Sequence, residues 1–236
     1  MLACNLDKKK YKSICIIDAN TKVGPKIKVS GGAKCNITNE LVTNKNYLGD
    51  RSFVKEILSK FTKDDLLKFL NKNGVNPKIN PKIVKGTYFC NSSQDVIDMF
   101  LKLTTHIKKY LDTKVLDLDY INEKNFYKIK TNKQNIEAKK VVVASGALSY
   151  PVLGASSIAF DIASKFGHTV EKLEPALVGF TVQKDQFWFK NLSGISTYVN
   201  TFVEDKRFEG SFLFAHKGCS GPVILTSSLY WKKGQL

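Results

Sequence analysis

Residues 29 to 39, Val-Ser-Gly-Gly-Ala-Lys-Cys-Asn-Ile-Thr-Asn, form a glycine-rich loop closed by small polar side chains. The adjacent glycines Gly31 and Gly32 let the backbone approach a ligand closely with its N–H groups pointing inward, while Ser30 and Asn36 add polar side chains. Loops of this composition usually hold phosphate. We therefore predict an anion-binding loop here, with a plain turn as the alternative.

A short apolar strand and an acidic residue come before this loop. The strand is predicted at residues 14 to 17, and Asp18 follows it directly. A carboxylate at the end of such a strand accepts the ribose hydroxyls in dinucleotide-binding folds. The order of strand, acid and phosphate-type loop favours an α/β nucleotide-binding domain over the alternative, in which Asp18 is a solvated turn residue.

Six motifs in this chain resemble the YhiN/BaiN-like FAD-dependent flavoproteins, and they occur in the family's order. They are Asp18–Lys26, Ser30–Asn39, Ala144–Pro151, Gly167–Val170, Pro175–Val178 and Leu213–Pro222. The resemblance implies an incomplete Rossmann-like FAD-binding domain with a β-meander, plus part of an inserted substrate domain that is β-rich and helical. It also implies an oxidoreductase that passes hydride through the flavin, with NAD(P)H as a candidate electron donor.

The same resemblance implies which residues contact the cofactor. Asp18 would bind the adenosine ribose, the glycine loop would approach the flavin or its pyrophosphate, and Val115 would offer backbone groups to the adenine. The triplet at 144–146 resembles the Ala-Thr-Gly turn that brings a parallel strand up to FAD. The candidate cofactor contacts are Asp18, Lys26, Ser30, Gly31, Gly32, Cys35, Asn36, Val115, Ala144, Ser145 and Gly146.

Two further side chains are weighed as acids or bases without being assigned. Cys35 beside the flavin would be a proton donor or redox thiol, but a single cysteine is more often a small buried hydrophobe. His216 would be an acid or base, but a single histidine is more often a satisfied hydrogen-bonding group. No catalytic residue is predicted.

The resemblance covers only the middle of the family's pattern. A Gly-x-Gly-x-x-Gly turn normally precedes the ribose acid by roughly 20 residues, whereas the residues before Asp18 include no glycine. We expect an internal fragment that lacks this turn and the C-terminal segment that closes over the flavin. Residues 1–174 are predicted as the FAD-binding domain, with a helical insert at 52–111, and residues 175–236 as the start of the substrate domain.

Periodicity places the elements between these limits. Helices are predicted at 52–61, 63–73, 94–111, 158–166 and 223–231, a loop at 76–81, and three β-runs at 114–119, 126–131 and 136–144. The predicted helix starts are a capping box of Thr62 and Asp65, a cap at Ser92 or Ser93, a cap at Ser156 or Ser157, and a cap at Ser220 with Pro222 at the first helical position. The last run ends in Val141-Val-Val143, which is typical of a strand buried on both faces of a parallel sheet. A ligand would bind at its carboxyl end, at Ala144.

The net charge of +16 has two possible explanations. It indicates a surface that attracts nucleic acid, anionic lipid or acidic substrates. However, only Arg51 and Arg207 of the 37 basic residues are arginine, and lysine that occurs with abundant asparagine and isoleucine is also the pattern of AT-rich coding sequence. The partners expected are a small-molecule ring substrate or structured RNA. The alternative functions are a non-catalytic lysine-rich RNA-binding protein and an inactive truncated remnant.

The remaining composition excludes several classes of site. The five cysteines have no paired spacing, so neither a disulfide framework nor a zinc site is indicated, and a reducing cytoplasm is expected. The three histidines have no mutual ligand spacing, and no metal is predicted. No segment is long and apolar enough to span a bilayer, and no membrane association is predicted.

Overall fold

The computed structural model describes residues 1–7, 9–79 and 86–232. The chain divides into two compact units, Met1–Thr169 and Val170–Leu236. Residues 80 and 81 of the predicted loop at 76–81 lie outside the described residues. Within the described ranges, no helix has the length and apolar character needed to cross a membrane.

The first unit mixes helices with short strands, in agreement with the predicted α/β class. Its helices are α1 (Leu2–Asn5), α2 (Pro25–Val29), α3 (Arg51–Lys60), α4 (Lys63–Lys72), α5 (Ser93–Leu103) and α6 (Ile158–Lys165). Its strands are β1 (Cys15–Ile17), β2 (Asn36–Asn39), β3 (Lys78–Ile79), β4 (Thr87–Phe89), β5 (Lys108–Tyr110), β6 (Val115–Ile121), β7 (Phe126–Thr131) and β8 (Asn135–Ala138). Short 3-10 turns occur at Asn44–Asn46, Asn122–Lys124 and Pro151–Leu153.

These strands form three small sheets. β1 pairs in parallel with β5, so that Cys15 lies opposite Lys108. β2, β4 and β3 form an antiparallel sheet with β4 in the centre. β6, β7 and β8 form an antiparallel meander, which confirms the predicted arrangement of the three β-runs.

The helix boundaries follow from local capping. Thr62 and Asp65 form a reciprocal capping box at the start of α4, as predicted, and Ser92 Oγ accepts the amide of Gln94 at the start of α5. The prediction that this last helix continues to residue 111 is wrong. Two β-branched residues follow Leu103, and Thr104 Oγ1 donates to the carbonyl of Phe100 (2.7 Å). The chain then joins β1 as β5.

The predicted buried strand at Val141–Val143 is also wrong. β8 ends at Ala138, opposite Tyr127, and Val142 is 65 % exposed. A strand forms only where a neighbour pairs with it, and no described strand lies beside these valines.

Ser157 is the N-cap residue of α6, but its hydroxyl donates to the Asp161 carboxylate (2.9 Å) and caps no backbone amide.

Two apolar clusters hold the first unit together. One contains Cys35, Leu70, Val75, Cys90, Val96 and Met99, with Ile27 and Ile37 packed against it. The other contains Leu118, Ile129 and Ile162, between the meander and α6. Because the first cluster includes residues from both ends of the glycine loop, it sets where that loop lies.

The second unit is a four-stranded antiparallel sheet with one helix. Its strands are β9 (Phe180–Thr181), β10 (Ser196–Val203), β11 (Lys206–Ala215) and β12 (Gly218–Ser220), in the order β10-β11-β12-β9, and its helix is α7 (Pro222–Ser227). Further 3-10 turns lie at Lys184–Gln186 and Lys190–Leu192. Pro222 takes the first helical position as predicted, but Gly221 rather than Ser220 is the N-cap, and the helix ends at Ser227 rather than Trp231.

Candidate functional site

Asp18 lies at the carboxyl end of β1, where the backbone holds it from two sides. Its amide donates to the carbonyl of Tyr110 (3.0 Å), which extends the parallel pairing of β1 with β5. Its own carbonyl accepts the amide of Thr113 (3.0 Å). The position of this half-buried carboxylate is therefore set by the sheet rather than by a loose turn.

One oxygen of the Asp18 carboxylate is occupied. Oδ1 accepts both the backbone amide (2.9 Å) and the side-chain Nδ2 (3.0 Å) of Asn20, whereas no described residue donates to Oδ2. Asn20 Nδ2 also reaches the carbonyl of Leu153 (3.3 Å). Sequence reasoning missed this role of Asn20, although an asparagine two residues after an aspartate is a recognisable turn signal.

Asp18 forms part of the wall of a cavity of about 220 Å³ between β1, α2 and α5. The rest of the wall is mostly apolar and includes Ile16, Ile27 and Phe100. Lys109 also lines it, but its ammonium donates to the carbonyls of Thr104 (2.5 Å) and Ile107 (3.3 Å). An apolar hollow with one available carboxylate suits a ligand that has a flat apolar part and adjacent hydroxyls.

The glycine loop follows α2 and turns in the left-handed sense. Gly31, Gly32 and Ala33 have φ values of +58°, +61° and +68°, and the turn is closed by hydrogen bonds from Lys34 to Gly31 (3.2 Å) and from Cys35 to Ser30 (2.9 Å). Within the described chain, the amides of residues 31 to 33 donate to no protein acceptor. Three successive amides are therefore available to an anion.

The start of α5 fixes the shape of this loop. The amide of Ser93 donates to the carbonyl of Ala33 (2.8 Å), and the amide of Cys90 donates to that of Lys34 (2.9 Å). Ser93 is 2 % exposed, and its hydroxyl donates to the carbonyl of Lys28 (3.1 Å). Ser93 is thus the main anchor of the loop, whereas the sequence predicted it only as one of two candidate caps of this helix.

Ser30 and Asn36 shape the loop from inside. Ser30 Oγ accepts the amide of Asn36 (3.3 Å). A Cβ on Gly31 would lie 2.2 Å from Asn36 Oδ1, whereas a Cβ on Gly32 would meet nothing within 4 Å. Gly31 is therefore required by both conformation and space, and Gly32 by conformation alone.

The Cys35 thiol is a core group. Its side chain is 6 % exposed, and burial raises its pKa. Burial, with smaller effects from the nearby Cys35 and Asp95, raises the pKa of Cys90 to about 11. Of the two interpretations of Cys35, a small buried hydrophobe fits the structure and a redox thiol does not, because a buried thiol with a raised pKa makes a poor nucleophile.

The other predicted contacts lie in different surroundings. Lys26 is exposed on α2, and no described acidic group lies within ion-pair distance of it. Val115 is half-buried against the cluster of Leu118, Ile129 and Ile162, two residues after Thr113, which bonds to Asp18. Ala144, Ser145 and Gly146 are exposed and follow no strand. The structure thus joins Asp18, α2 and the start of β6, and no described hydrogen bond ties residues 144–146 to them.

In the second unit, His216 forms a single polar contact. Its Nδ1 lies 2.8 Å from Ser193 Oγ, and its ring is exposed. This arrangement fits the satisfied hydrogen-bonding group. Within residues 1–7, 9–79 and 86–232, no group of three His, Cys, Asp or Glu side chains is placed to hold a metal ion.

Comparison with known proteins identifies relatives across nearly the whole chain. The family model for the HI0933-like protein Rossmann domain matches residues 1–225. Two proteins named ribosomal RNA dihydrouridine synthase are similar: that of Haemophilus influenzae is 34% identical over 230 residues, and that of Escherichia coli 33% over 230 residues. These alignments cover 94% and 95% of this chain and 56% of each relative.

A third relative has a different named activity. The 3-dehydro-bile acid delta(4,6)-reductase of Clostridium scindens is 28% identical over 180 residues, which is 74% of this chain and 42% of that protein. The chain therefore spans little more than half the length of the two synthases and less than half that of the reductase. The match confirms the Rossmann-like fold class and the resemblance stated above.

Proposed function

We propose that this chain is the FAD-binding part of an enzyme that reduces a ring double bond of uridine in ribosomal RNA. The chain belongs to the HI0933-like family of FAD-dependent oxidoreductases. The observation that carries the proposal is the half-buried Asp18 at the end of β1, with one carboxylate oxygen available at the wall of a cavity. The proposed substrate comes from the names of the two relatives that this chain matches over most of its length.

The residues present fit the two polar parts of FAD. Asp18 would accept the ribose hydroxyls through the oxygen that no described residue uses. The amides of Gly31, Gly32 and Ala33 would donate to the pyrophosphate, and the exposed ammonium groups of Lys26 and Lys34 would add positive charge. When bound, FAD supplies the hydride, and NAD(P)H is the proposed source of its electrons.

The reduction itself balances simply. Dihydrouridine differs from uridine by two hydrogens across one carbon–carbon double bond, so one carbon receives a hydride and its neighbour a proton. The reduced carrier is oxidised by the same two electrons. No described side chain is assigned as the proton donor, because the buried Cys35 thiol is unsuited to the task.

The five cysteines, all of which are free thiols, support a reducing compartment, and we propose the cytoplasm. A ring reductase for a small molecule is the second candidate, supported by the bile acid reductase relative. RNA is preferred because both synthases are more similar to this chain over a greater length.

The test is FAD binding by the full chain, followed by reduction of RNA. We expect the purified chain to bind FAD, and Asp18→Asn to weaken binding about tenfold or more, which corresponds to about 1.4 kcal/mol. Asp98→Asn is the matched control, because it makes the same change at an exposed site on α5. A folded chain that binds no FAD, or equal affinity in Asp18→Asn, would overturn the site.

For the reaction, ribosomal RNA that lacks the modification is incubated with the FAD-loaded chain and NAD(P)H, and its nucleosides are analysed by mass spectrometry. Gain of two hydrogens on a uridine is the expected result. If a 3-oxo steroid with a ring double bond is reduced and RNA is not, the second candidate replaces the first.

A further inference from the structure

The excess positive charge lies almost entirely in the first unit. Residues 1–169 hold 29 of the 37 basic side chains and 15 of the 21 acidic ones, so their net charge is +14 out of +16. The β-sheet unit, residues 170–236, carries only +2. A composition bias alone predicts charge spread along the chain, whereas a binding surface requires a local concentration.

Such a concentration lies beside β1, at the opposite end from Asp18. The turn before β1 brings Lys9, Lys10 and Lys12 together, because the amides of Lys10 and Tyr11 both donate to the carbonyl of Asp7 (3.1 and 2.9 Å). The segment after β8 adds Lys139 and Lys140. We call these five lysines, with Tyr11, the lysine cluster.

The ring of Tyr11 shows that the two segments meet. The Lys10 ammonium lies 5.8 Å from the ring centroid, and the Lys140 ammonium lies 5.9 Å from it. Two cations from distant parts of the sequence thus share one half-buried aromatic ring. Cation–π contacts of this kind hold both side chains in place while leaving their charges exposed.

No carboxylate in the described part of the chain neutralises the cluster. All five lysines are exposed, and none has a described Asp or Glu partner within 4.0 Å. Asp7, the acidic residue of the same turn, accepts the backbone amide of Lys9 (2.8 Å) instead. The ammonium groups of Lys10 and Lys140, which share the Tyr11 ring, repel each other. A polyanion that binds them relieves this repulsion and releases its own counterions.

We propose that the lysine cluster binds the phosphate backbone of the RNA substrate, an inference that rests on the proposed function. We favour RNA over an anionic membrane because the aliphatic residues that flank the cluster in sequence, Leu6, Ile14 and Val141, are half-buried. The exposed Val142, next along the chain, is the reason for a vesicle arm in the test. A membrane-binding patch combines lysines with exposed apolar side chains that insert into lipid. The cluster offers ammonium groups and an aromatic ring, which suit phosphates and bases.

The test measures affinity of the full chain for a fluorescent single-stranded ribosomal RNA fragment between 50 and 200 mM KCl. Loss of two phosphate contacts in Lys10→Gln/Lys140→Gln should reduce the slope of log K against log salt by about 1.4, since each contact contributes about 0.7 for single strands. At 0.1 M salt this corresponds to roughly 25-fold weaker binding. The loss should be equal for fragments of different sequence.

The matched control is Lys45→Gln/Lys55→Gln, which removes two exposed lysines elsewhere in the same unit. Equal losses in the two double variants would mean that charge acts diffusely, and the cluster would be rejected as a site. Co-sedimentation with vesicles of phosphatidylglycerol and phosphatidylcholine (1:3) is the second arm. If the cluster variant loses vesicle binding and keeps RNA binding, the surface is a lipid site and the proposal fails.

The FAD titration separates this proposal from the proposed function. The cluster variant should bind FAD as the unchanged chain does, because the cluster and Asp18 lie at opposite ends of β1. Cluster-dependent RNA binding by a chain that binds no FAD would retain the surface and reject the flavoenzyme. If the chain binds FAD and its RNA binding does not depend on the cluster, the flavoenzyme is retained and the surface is rejected.

Discussion

The glycine loop at residues 30–36 and the segment at residues 141–150 have the same kind of sequence signal, but the structure holds them very differently. The loop is tied to the start of α5 through the carbonyls of Ala33 and Lys34. In the other segment, Val142 is 65 % and Tyr150 67 % exposed. A ligand-binding motif is therefore preformed where neighbouring elements bond to it, and its residue types alone do not secure that.

The core beneath each region should give the largest contrast. Leu70 is 1 % exposed in the cluster that contains Cys35, so Leu70→Ala should lower the free energy of unfolding by about 2–5 kcal/mol. Val142→Ala, at an exposed position, should change it by less than about 0.5 kcal/mol. Urea denaturation followed by circular dichroism measures both. Comparable losses would show that the segment at 141–150 is packed as firmly as the loop.

Within the loop, the two glycines should differ. Both have φ near +60°, and alanine there costs about 1–2 kcal/mol in backbone strain. Only at Gly31 does the new Cβ also meet Asn36, at 2.2 Å from Oδ1, which adds about 1–3 kcal/mol.

Urea unfolding should therefore rank Gly31→Ala below Gly32→Ala, with total losses of about 2–5 and about 1–2 kcal/mol. Asn36→Ala in the Gly31→Ala background is the control, since removal of the clashing amide should recover part of the loss. Equal losses in the two single glycine variants would mean that Asn36 moves away freely and does not shape the loop.

The thiols under the loop predict an alkaline limit of stability. Folding raises the pKa of Cys90 from 9.0 to about 11, mainly by burial. The folded state therefore holds this proton more tightly than the unfolded state does. The resulting stabilisation is fully present below pH 9 and is lost as the pH rises to about 11; two pH units correspond to roughly 2–3 kcal/mol.

Urea denaturation from pH 8 to pH 11 tests this, with Cys90→Ala as the reference that lacks the titrating group. The free energy of the unchanged chain should fall more steeply than that of the variant over this window. Parallel curves would show that the thiol is as accessible as an exposed one, and the loop would then resemble the segment at 141–150.

The sequence predicted the elements that depend on local signals. The capping box of Thr62 and Asp65, the meander and the strand before Asp18 all follow from residue types within a few positions of one another. The structure departs from the prediction where a distant partner decides. α5 stops at Leu103 because the chain after it pairs with β1, and Val141–Val143 form no strand because no described strand lies beside them.

The candidate site shows the same limit. Asp18 and the Gly31–Gly32 pair are visible in the sequence because their chemistry is local. Ser93, which holds the loop, lies 65 positions from its partner Lys28. Asn20, which holds the carboxylate, lies 133 positions from its partner Leu153. Cys35 looked like a ligand contact from its place in the motif, and only packing shows that its thiol faces the core.

The smallest predicted effect tests the comparison most directly. Gly146, like Gly32, has a positive φ (+78°) and open space around the position of a Cβ. In the tethered loop, an alanine must accept the left-handed conformation. In the exposed segment, we expect the backbone to relax to negative φ. Gly146→Ala should therefore lower the free energy of unfolding by less than about 0.5 kcal/mol, because alanine also lowers the entropy of the unfolded state and this offsets part of the loss.

An FAD titration of the Gly146→Ala variant extends the contrast to cofactor binding. If Gly146 lies against the cofactor, binding requires the left-handed conformation, and the alanine variant must adopt it when FAD binds. Gly146→Ala should then bind FAD about fivefold or more weakly, since about 1 kcal/mol of strain is transferred to the binding step. An unchanged affinity would remove 144–146 from the site, while a large loss of stability without FAD would show that the segment is held as rigidly as the loop.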